Sequence, residues 1–389
     1  MTRKVCIVVH SRANYGRVKT VMRAIVEHKD LELQLLVGSS ALLQRYGAVV
    51  DIIRRDGFTD SAVVHSIIEG ETPTTMAKST GLAIIELSTH FDNLKPDVVL
   101  TVADRFETLA TAVAASYMNI PLAHTQGGEV TGSIDESVRH AISKLAHVHF
   151  PATKRAKEYL LRMGEEAHTI HLTGCPAIDL VAETELNLPA DIFCRYPGVG
   201  EPLSTQKDFI IVLQHPVTTE YGSGLAQIQE TLAAVHAVAQ EGMQVVWLWP
   251  NVDAGSDQVS KGIRTFRELN ATPNMHFYRN FSPEDYVKLL ANARCIVGNS
   301  SSGLREGAFL GTPCVNIGTR QAGRERASNV IDVNTNSAEI LAALSRQLDH
   351  GRYASSHLVG DGSAGRKIAD ILARTEFRIQ KKLSYTDEL

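Results

Sequence analysis

The sequence of 389 residues lacks a long apolar run, an excess of basic residues and a regular cysteine pattern. No stretch of about 18 residues is wholly apolar, so no membrane-spanning helix is predicted. A net charge of −4 without a basic block argues against binding to nucleic acid. The cysteines are scattered, odd in number and without C-x-x-C spacing, which excludes a zinc site or a disulfide framework and fits a reducing compartment. They are Cys6, Cys175, Cys194, Cys295 and Cys314.

Several catalytic and cofactor motifs are also missing. The first strand-like run is not followed by G-x-G-x-x-G, and the chain has no P-loop, no H-E-x-x-H and no Asp-x-Asp pair. A metal-free site without a dissociable cofactor is therefore expected, in which arginines and helix starts bind phosphate. The N-terminal residues lead directly into an apolar strand without the core of a signal peptide. A cytoplasmic location follows as an expectation.

The sequence does contain a repeated alternation of short apolar runs and helical stretches. Continuous β-branched runs alternating with helices predict parallel sheets covered on both faces. The runs of the first half are residues 5–10, 31–37, 62–68, 97–103, 121–125, 148–151 and 169–173, with helices at 18–28, 74–94 and 106–118. Those of the second half are 209–213, 245–249, 276–278, 295–298, 313–317 and 330–333.

This length suits two domains, and residues 183–206 are rich in proline and glycine. We predict a first domain over 1–175, a second over 176–365 and a C-terminal helix over 366–389. The helical pattern at the end begins near residue 363 and extends to about 383. It fits either an ordinary solvated helix or one that crosses back to brace the first domain. The fold class is α/β, with two Rossmann-like parallel-sheet domains whose strand ends face one cleft.

The strand ends of the first half carry charged residues. Arg12 and Arg17 flank the first turn into a helix, where an anion would be favoured, although both could be solvated. Asp104 follows the fourth strand as either a helix cap or a cleft carboxylate, with Arg105 near enough to keep it ionised or to hold substrate.

A denser polar segment follows the fifth strand. Gln126-Gly127-Gly128-Glu129 allows the backbone to approach a ligand closely. Ser133 and Glu136 are spaced as a capping box, which explains both without any function. Asp135, Arg139 and His140 complete the segment and could offer acid–base groups to one pocket. They lie at the start of the predicted helix.

The second half offers groups for a phosphate. His215 ends its first strand, as either a buried structural histidine or a ligand, and Asn251 lies in the turn after the next strand. Gly298-Asn-Ser-Ser-Ser-Gly-Leu-Arg-Glu306 joins a strand to a helix predicted to begin near Gly303. Its hydroxyls and free N–H groups suit a diphosphate, and Glu306 suits ribose hydroxyls; a plain helix cap is the alternative. Arg320 and Arg324 follow, suited to forked phosphate contacts.

In this order, the motifs resemble the hydrolysing UDP-N-acetylglucosamine 2-epimerases of sialic-acid biosynthesis. The resemblance extends from residue 11 to residue 321 and is most specific at 127–140, 213–218 and 298–306. It implies a GT-B-like fold and release of UDP with formation of N-acetylmannosamine. It also implies no metal or nicotinamide cofactor and assembly as a homodimer or homotetramer.

The resemblance also implies roles for individual residues. Asp104, Gln126 and Asp135 take the acid–base positions, and Arg105, Glu129 and His140 stand beside them. The nucleotide contacts are implied for Arg12, Arg17, His215, Asn251, Ser300, Ser301, Glu306 and Arg320. Position 126 is usually glutamate in the sialic-acid enzymes. Because an amide cannot act as a base, Glu129, Asp104 or Asp135 must carry that proton transfer, or the substrate differs.

Other interpretations stay open. Gln126 also fits a related substrate, either a GDP-linked sugar or a 2,4-diacetamido-6-deoxy UDP-sugar of the legionaminic-acid type. Asn14 and Arg17 stand where acidic and lysine residues are common in the family. A non-hydrolysing 2-epimerase, a GT-B glycosyltransferase and a non-enzymatic nucleotide-binding protein are further alternatives. The carboxylates that the chain retains argue against the last.

Overall fold

The computed structural model describes residues 2–382, which form two α/β halves, each built on a parallel sheet. The first sheet has six strands in the order β3-β2-β1-β4-β5-β6, all of them parallel. The strands are β1 Arg3–Val9, β2 Leu31–Gly38, β3 Ala62–Val64, β4 Val98–Val102, β5 Leu122–Thr125 and β6 Val148–Phe150.

The second sheet has seven strands in the order β13-β12-β11-β8-β9-β10-β7. Only the edge strand β7 is antiparallel, and it pairs with β10. The strands are β7 Gly198–Gly200, β8 Phe209–Leu213, β9 Gln244–Leu248, β10 Met275–Tyr278, β11 Cys295–Gly298, β12 Cys314–Ile317 and β13 Val330–Val333.

Helices cover both faces of each sheet. In the first half they are α1 Arg12–Glu27, α2 Val49–Arg55, α3 Pro73–Leu94, α4 Phe106–Tyr117, α5 Asp135–Leu145, α6 Lys154–Arg162 and α7 Pro176–Glu183. The later ones are α8 Gly224–Gln240, α9 Ser256–Leu269, α10 Pro283–Asn292, α11 Ser301–Leu304, α12 Glu306–Leu310, α13 Ser337–His350 and α14 Ala364–Arg374.

Strands β4 and β8, in the interior of their sheets, are buried along their whole length, as is expected of strands between two helical layers. All five residues of β4 and all five of β8 are buried. Separate hydrophobic clusters fill the two faces of each sheet. The fold is therefore the predicted one: two Rossmann-like parallel-sheet halves facing across a cleft, in a GT-B-like arrangement.

Helix α14 returns to the first half after the second sheet is complete. It packs against α1 and α7, and Ile368, Ala369 and Leu372 belong to the same buried cluster as the strands of the first sheet. The chain crosses between the halves at two adjacent points, where the amide of Cys175 donates to the carbonyl oxygen of Val359 at 2.8 Å. Of the two alternatives for the final helix, the structure has the one that crosses back.

Three details differ from the sequence prediction. Residues 169–173 do not form a strand, because only the single bridge between His149 and Ile170 joins them to the sheet. Strand β7 was not predicted, since its three exposed residues carry no apolar pattern. The C-terminal helix ends at Arg374, where Thr375 turns to an extended conformation; residues 383–389 of the predicted helix lie outside the described part. Among residues 2–382, no helix is long and apolar enough to cross a membrane.

Candidate active site in the interdomain cleft

The loops that follow the strands of both sheets line a cavity of 130 Å³ between the halves, here called the main cavity. This is the position where open parallel sheets bind ligands. The lining includes Arg12 and Arg17 of the first half and His215, Asn251, Ser300, Ser301 and Glu306 of the second. Arg320 lies beside it, with Nη1 donating to the carbonyl oxygen of Asn299 at 3.1 Å. The structure thus brings together the eight residues that the resemblance assigned to the nucleotide.

The serine-rich turn after β11 contacts an arginine from the opposite half. Ser300 caps α11 and accepts a hydrogen bond from the amide of Ser302 at 3.3 Å. The helix begins at Ser301, two residues earlier than predicted. Arg17 Nη2 donates to Ser301 Oγ at 3.0 Å across the cleft. Hydroxyls and a guanidinium at one place are suited to the oxygens of a phosphate.

His215 is buried and neutral, in a defined tautomer. Burial, with the nearby cations Arg320 and Arg12, holds its pKa well below the usual range. Its Nδ1 accepts from the backbone N–H of Asn251 at 3.1 Å, so the ring proton is on Nε2. His215 can therefore donate a hydrogen bond to an anionic ligand without itself carrying charge.

Arg12 and Glu306 have different surroundings in the main cavity. Arg12 Nη1 donates to Asn280 Oδ1 and Nη2 donates to Asn251 Oδ1, both at 3.1 Å, so this side chain also joins the two halves. Burial raises the pKa of Glu306, despite the opposing charge of Arg17 and Arg305. Glu306 Oε2 has no hydrogen-bond partner among residues 2–382. It is suited to a ligand hydroxyl.

Asp104 lies in a strained turn after β4. The preceding residue, Ala103, has a φ of +63°, and its carbonyl oxygen accepts from His124 Nε2 at 2.7 Å. Asp104 Oδ2 accepts a hydrogen bond from Arg139 Nη2 and lies 3.5 Å from Arg324 Nη2. Two guanidinium groups therefore surround this buried carboxylate.

Arg105 does not pair with Asp104, contrary to expectation. Its guanidinium makes two hydrogen bonds of 3.1 Å to Glu107 and one of 2.6 Å to Asp253 of the second half. This buried network connects the loop after β4 to the loop after β9. Arg105 thus holds the cleft walls together.

Gln126 has a strained backbone and a buried side chain. Its φ is +61°, its Nε2 donates to Cys175 Sγ at 3.0 Å, and its Oε1 has no partner among the described residues. The glycines that follow are required by close packing, because a Cβ at Gly127 would lie 2.8 Å from Ser143 Oγ. Gln126 can accept or donate a hydrogen bond here, but it cannot take a proton.

Glu129 is held by arginines from the second half. Its Oε2 accepts from Arg305 Nη2 and lies 3.7 Å from Arg324 Nη1, while its backbone carbonyl accepts from Arg139 Nη1 at 2.8 Å. Burial raises the pKa of Glu129, but the charges of Arg305 and Arg324 outweigh it, so the net pKa is lowered. Glu129 is an ionised carboxylate.

Asp135 is the first residue of α5 and differs from the other two carboxylates. Burial raises its pKa and Asp253 adds to the effect, while Arg320 and Arg105 oppose it. The predicted capping box is wrong, since Ile134 caps α5 without a side-chain bond. Glu136 Oε2 instead accepts from the amide of Thr131 at 2.9 Å. The half-buried Asp135 carboxyl is therefore protonated more readily than an exposed aspartate.

His140 lies one turn further along α5 than Glu136, with Nε2 at 3.6 Å from Glu136 Oε1. Its Nδ1 has no partner within residues 2–382. The structure gives it no contact with Asp104, Glu129 or Asp135 in the part of the chain that it describes. The predicted catalytic residues are therefore brought to one cleft wall, with His140 at its margin.

Two site residues, Arg305 and Tyr286, were not assigned from the sequence, and Arg139 was expected only as a possible acid–base group. Arg139 and Arg305 lie inside the specific stretches, but nothing in the sequence shows that they pair with Asp104 and Glu129. Tyr286, in the middle of α10, lines the main cavity and lies 2.6 Å from Ser302 Oγ. Its place in the site was not predictable, because an aromatic residue in a helix ordinarily belongs to the hydrophobic core.

Comparisons with known proteins agree with this architecture. A family model described as UDP-N-acetylglucosamine 2-epimerase matches residues 23–373. The chain is 34% identical over 372 residues to the UDP-N,N'-diacetylbacillosamine 2-epimerase (hydrolyzing) of Legionella pneumophila, covering 96% of each chain. It is 30% identical over 383 residues to a UDP-N-acetylglucosamine 2-epimerase of Neisseria meningitidis, covering 97% of this chain and 96% of the relative.

Solved structures show the same fold at lower identity. The Methanocaldococcus jannaschii UDP-GlcNAc 2-epimerase in complex with UDP-GlcNAc and UDP superposes with a TM-score of 0.80 at 18% identity, covering 96% of this chain and all 100% of that one. The Neisseria meningitidis UDP-GlcNAc 2-epimerase bound to UDP-GlcNAc gives a TM-score of 0.77 at 18% identity, with coverage of 96% and 100%.

Proposed function

The chain belongs to the UDP-N-acetylglucosamine 2-epimerase family, and from that premise we propose that it is a hydrolysing 2-epimerase. It would convert UDP-N-acetylglucosamine to N-acetylmannosamine and UDP, for sialic-acid-type sugar synthesis. One observation carries the proposal: Glu129 of the first half bonds to Arg305, which directly precedes Glu306, and Glu306 lines a cavity together with Arg17, Ser301 and His215. We also infer a homodimer or homotetramer, to be checked by light scattering.

The main cavity would hold UDP. Arg17, the Ser300–Ser302 hydroxyls and the Nε2 proton of His215 would contact the diphosphate, and Glu306 would contact the ribose. These donors are fixed before substrate binds, so they stabilise the negative charge that develops when the C1–O bond breaks. One preorganised donor of this type contributes about 3 kcal/mol.

The reaction would be an elimination followed by hydration. A base removes the C2 proton while the bond from C1 to UDP breaks, which gives a 2-acetamido glycal. Water then adds at C1, and a proton returns to C2 on the opposite face. We assign the proton transfer at C2 to Asp135, because burial raises its pKa and it has no ion pair among the described residues, whereas Asp104 and Glu129 are each paired with an arginine.

A second substrate deserves equal testing. The Legionella pneumophila relative acts by its name on a UDP-linked diacetamido sugar, and Gln126 stands where the sialic-acid enzymes usually have glutamate. A 2,4-diacetamido-6-deoxy UDP-sugar would use the same diphosphate contacts and the same chemistry at C1 and C2. Only the pocket for the 4- and 6-substituents would differ.

Proton NMR in D₂O tests the reaction and the substrate together. The protein is incubated with each of the two UDP-sugars, and the expected products are free UDP and a 2-epimeric sugar with deuterium at C2. Retention of protium at C2 would exclude proton abstraction, and a 2-epimer still attached to UDP would identify a non-hydrolysing enzyme. UDP release only after an acceptor is added would favour a glycosyltransferase.

A further inference from the structure

A small cavity of 30 Å³, here called the inner cavity, is bordered by Glu129 of the first half and Arg305 of the second. The charged residues and the threonine of its lining are Glu129, Thr153, Arg155, Arg305, Arg324 and Glu325. None of these six side chains lines the main cavity. A space of roughly 10–15 Å³ is enough to accommodate one water molecule. The inner cavity is therefore large enough for one or two waters and too small for a sugar.

The side chains around the inner cavity have unused hydrogen-bonding capacity. Glu129 Oε1, Arg305 Nε and Nη1, and Arg324 Nε and Nη1 find no partner within residues 2–382. The side chains of Glu129, Arg305 and Arg324 are only 9%, 4% and 8% exposed. Buried polar atoms of this kind are normally satisfied by protein or by ordered water. One carboxylate acceptor among guanidinium donors is the complement of a bound water molecule.

The inner cavity also adjoins the groups that act on the sugar. Arg324 lines it and reaches Asp104 with Nη2, at 3.5 Å. Arg305, which holds Glu129, is followed directly by Glu306 of the main cavity. A water at Glu129 would therefore lie beside Arg305 and Arg324, the two residues that connect the inner cavity to Glu306 and Asp104.

A route to solvent leads from the opposite end of the inner cavity. An open groove of 790 Å³ shares Thr153, Arg155 and Glu325 with it. At this boundary Thr153 Oγ donates to Glu325, and Arg155 Nη2 donates to the carbonyl oxygen of Gly323 at 3.1 Å. Water can enter by this groove while nucleotide fills the main cavity.

We propose that the inner cavity holds the water that hydrates the glycal, with Glu129 as the catalytic base for that water. This inference rests on the proposed hydrolysing function. In the step, C2 of the glycal takes a proton that comes from solvent, on the face opposite to the one deprotonated, and C1 becomes electrophilic. The water oxygen bonds to C1, and its proton passes to the Glu129 carboxylate and then to solvent through the groove. Because the attacked carbon is cationic, an ionised carboxylate of low basicity is sufficient.

The test is the ratio of the two sugar products in Glu129→Gln. Since an amide does not take the proton, UDP release should continue while hydration slows. The free glycal, detected by the vinylic C1 proton in NMR, should rise at least tenfold relative to the 2-epimeric sugar. Glu129→Asp keeps the carboxylate and should give a smaller rise.

Glu183→Gln is the matched control, since it makes the same change at an exposed pair in which Arg23 lies 2.5 Å from the carboxylate. It should leave the product ratio unchanged. An unchanged ratio in Glu129→Gln, with activity or KM altered, would show that Glu129 only binds the sugar and would overturn the proposal. If Glu129→Gln does not fold, the Glu129→Asp ratio decides alone.

Failure of the underlying function gives a different result. In that case the unaltered protein releases no UDP from either sugar nucleotide, whereas failure of the water site leaves that release intact. A second measurement supplies synthetic glycal with UDP to the unaltered protein and to Glu129→Gln. Equal hydration rates in both would also overturn the role of Glu129.

Discussion

Asp104, Glu129 and Asp135 are three carboxylates of one cleft wall in three different charge environments. Asp104 faces Arg139 and Arg324, and Glu129 faces Arg305, whose charge lowers the pKa of the Glu129 carboxyl. Asp135 has no such ion pair among the described residues, and burial together with Asp253 raises its pKa. Environments that separate pKa values in this way assign different tasks to like residues. In the proposed mechanism, proton transfer is therefore assigned to Asp135.

We therefore predict that Asp135→Asn abolishes turnover and leaves UDP binding nearly unchanged. The amide keeps the size of the side chain but cannot exchange a proton, and a lost acid–base group costs roughly 10²–10⁴ in rate. Turnover is measured by UDP release, and UDP affinity by titration calorimetry.

Asp51→Asn is the control for this substitution, because Asp51 is also an acidic residue in the first turn of a helix, but an exposed one. It should retain full activity. Near-normal turnover in Asp135→Asn would remove Asp135 from the mechanism.

For single residues, the sequence predicts which side chains lie at the cleft but not which residues they pair with. Asp104 and Asp135 follow strand ends or begin a helix, so their approach to the cleft is predictable. That Arg139 pairs with Asp104 while Arg105 pairs with Glu107 and Asp253 depends on how α5 and the second half are placed. Both placements depend on the tertiary structure, so they cannot be predicted from a local stretch of sequence.

Among the elements, the turn between β5 and α5 is the most tightly packed part of the site. Gly128 has a φ of +76°, and a Cβ there would overlap the carbonyl oxygen of Ala156 and lie 2.9 Å from its carbonyl carbon. The turn therefore packs directly against α6. This contact fixes the positions of Gln126 and Glu129 relative to the sheet.

Gly128→Ala should destabilise the protein by roughly 3 kcal/mol. The left-handed backbone alone costs about 1–2 kcal/mol for a residue with a Cβ, and overpacking against α6 adds about 1–3 kcal/mol. Urea unfolding followed by circular dichroism measures the loss.

Gly57→Ala separates the two contributions, because Gly57 has a φ of +89° with no atom within 4 Å of the added Cβ. It should lose only the backbone part. Equal losses for the two substitutions would refute the contact with α6.

The alternation of runs and helices was sufficient to predict most strands, because buried parallel strands are continuous apolar segments. This pattern failed for segments that are short or only partly buried. Residues 169–173 have an apolar run but bind the sheet through one bridge, and β7 consists of Gly-Val-Gly at an exposed edge. In both cases, whether the segment joins the sheet depends on the strand beside it rather than on its own sequence.

For the molecule as a whole, Glu165 joins distant parts of the chain. It accepts hydrogen bonds from Lys144 at the end of α5, at 2.7 Å, and from His149 in β6, at 3.0 Å, and Lys381 near the C-terminus lies 2.6 Å away. Lys381 also donates to the carbonyl oxygens of Ser143, Lys144 and Ala146. Burial raises the pKa of Glu165, but these hydrogen bonds outweigh it and lower the pKa from 4.5 to about 2.

This pKa gives a stability prediction with a definite sign. A carboxylate whose pKa is lower in the folded state stabilises the fold above its unfolded pKa of 4.5, and the effect is lost as the pH falls toward about 2. The shift corresponds to roughly 3 kcal/mol. Glu165→Gln should be less stable by that order at pH 7, and the gap should narrow below pH 4.5.

Urea unfolding at neutral and acidic pH measures this gap. Glu166→Gln is the control, since Glu166 is half-exposed and its only ion pair in the described chain is with His168 at 3.4 Å. A gap for Glu165→Gln that stays constant into the acidic range would contradict the assignment.

The two halves and their shared cleft were predictable, because each half repeats the same alternation of strands and helices. The destination of the last helix was not, since one apolar face in α14 fits either half. What decides it is the adjacency of the two chain crossings, where Gly174 and Gly360 pack closely enough that a Cβ on Gly174 would lie 3.0 Å from Gly360 Cα.

The return of α14 also constrains how the protein is made. Ile368, Ala369 and Leu372 fill the same hydrophobic cluster as Val5, Val18 and the rest of the first sheet's inner face. During synthesis the first half leaves the ribosome before these residues are translated. Its hydrophobic face therefore stays uncovered until they are made. The second half can fold in the meantime. Final closure of the first half, and with it the alignment of α1 and Arg17 at the cleft, comes after translation has passed Arg374.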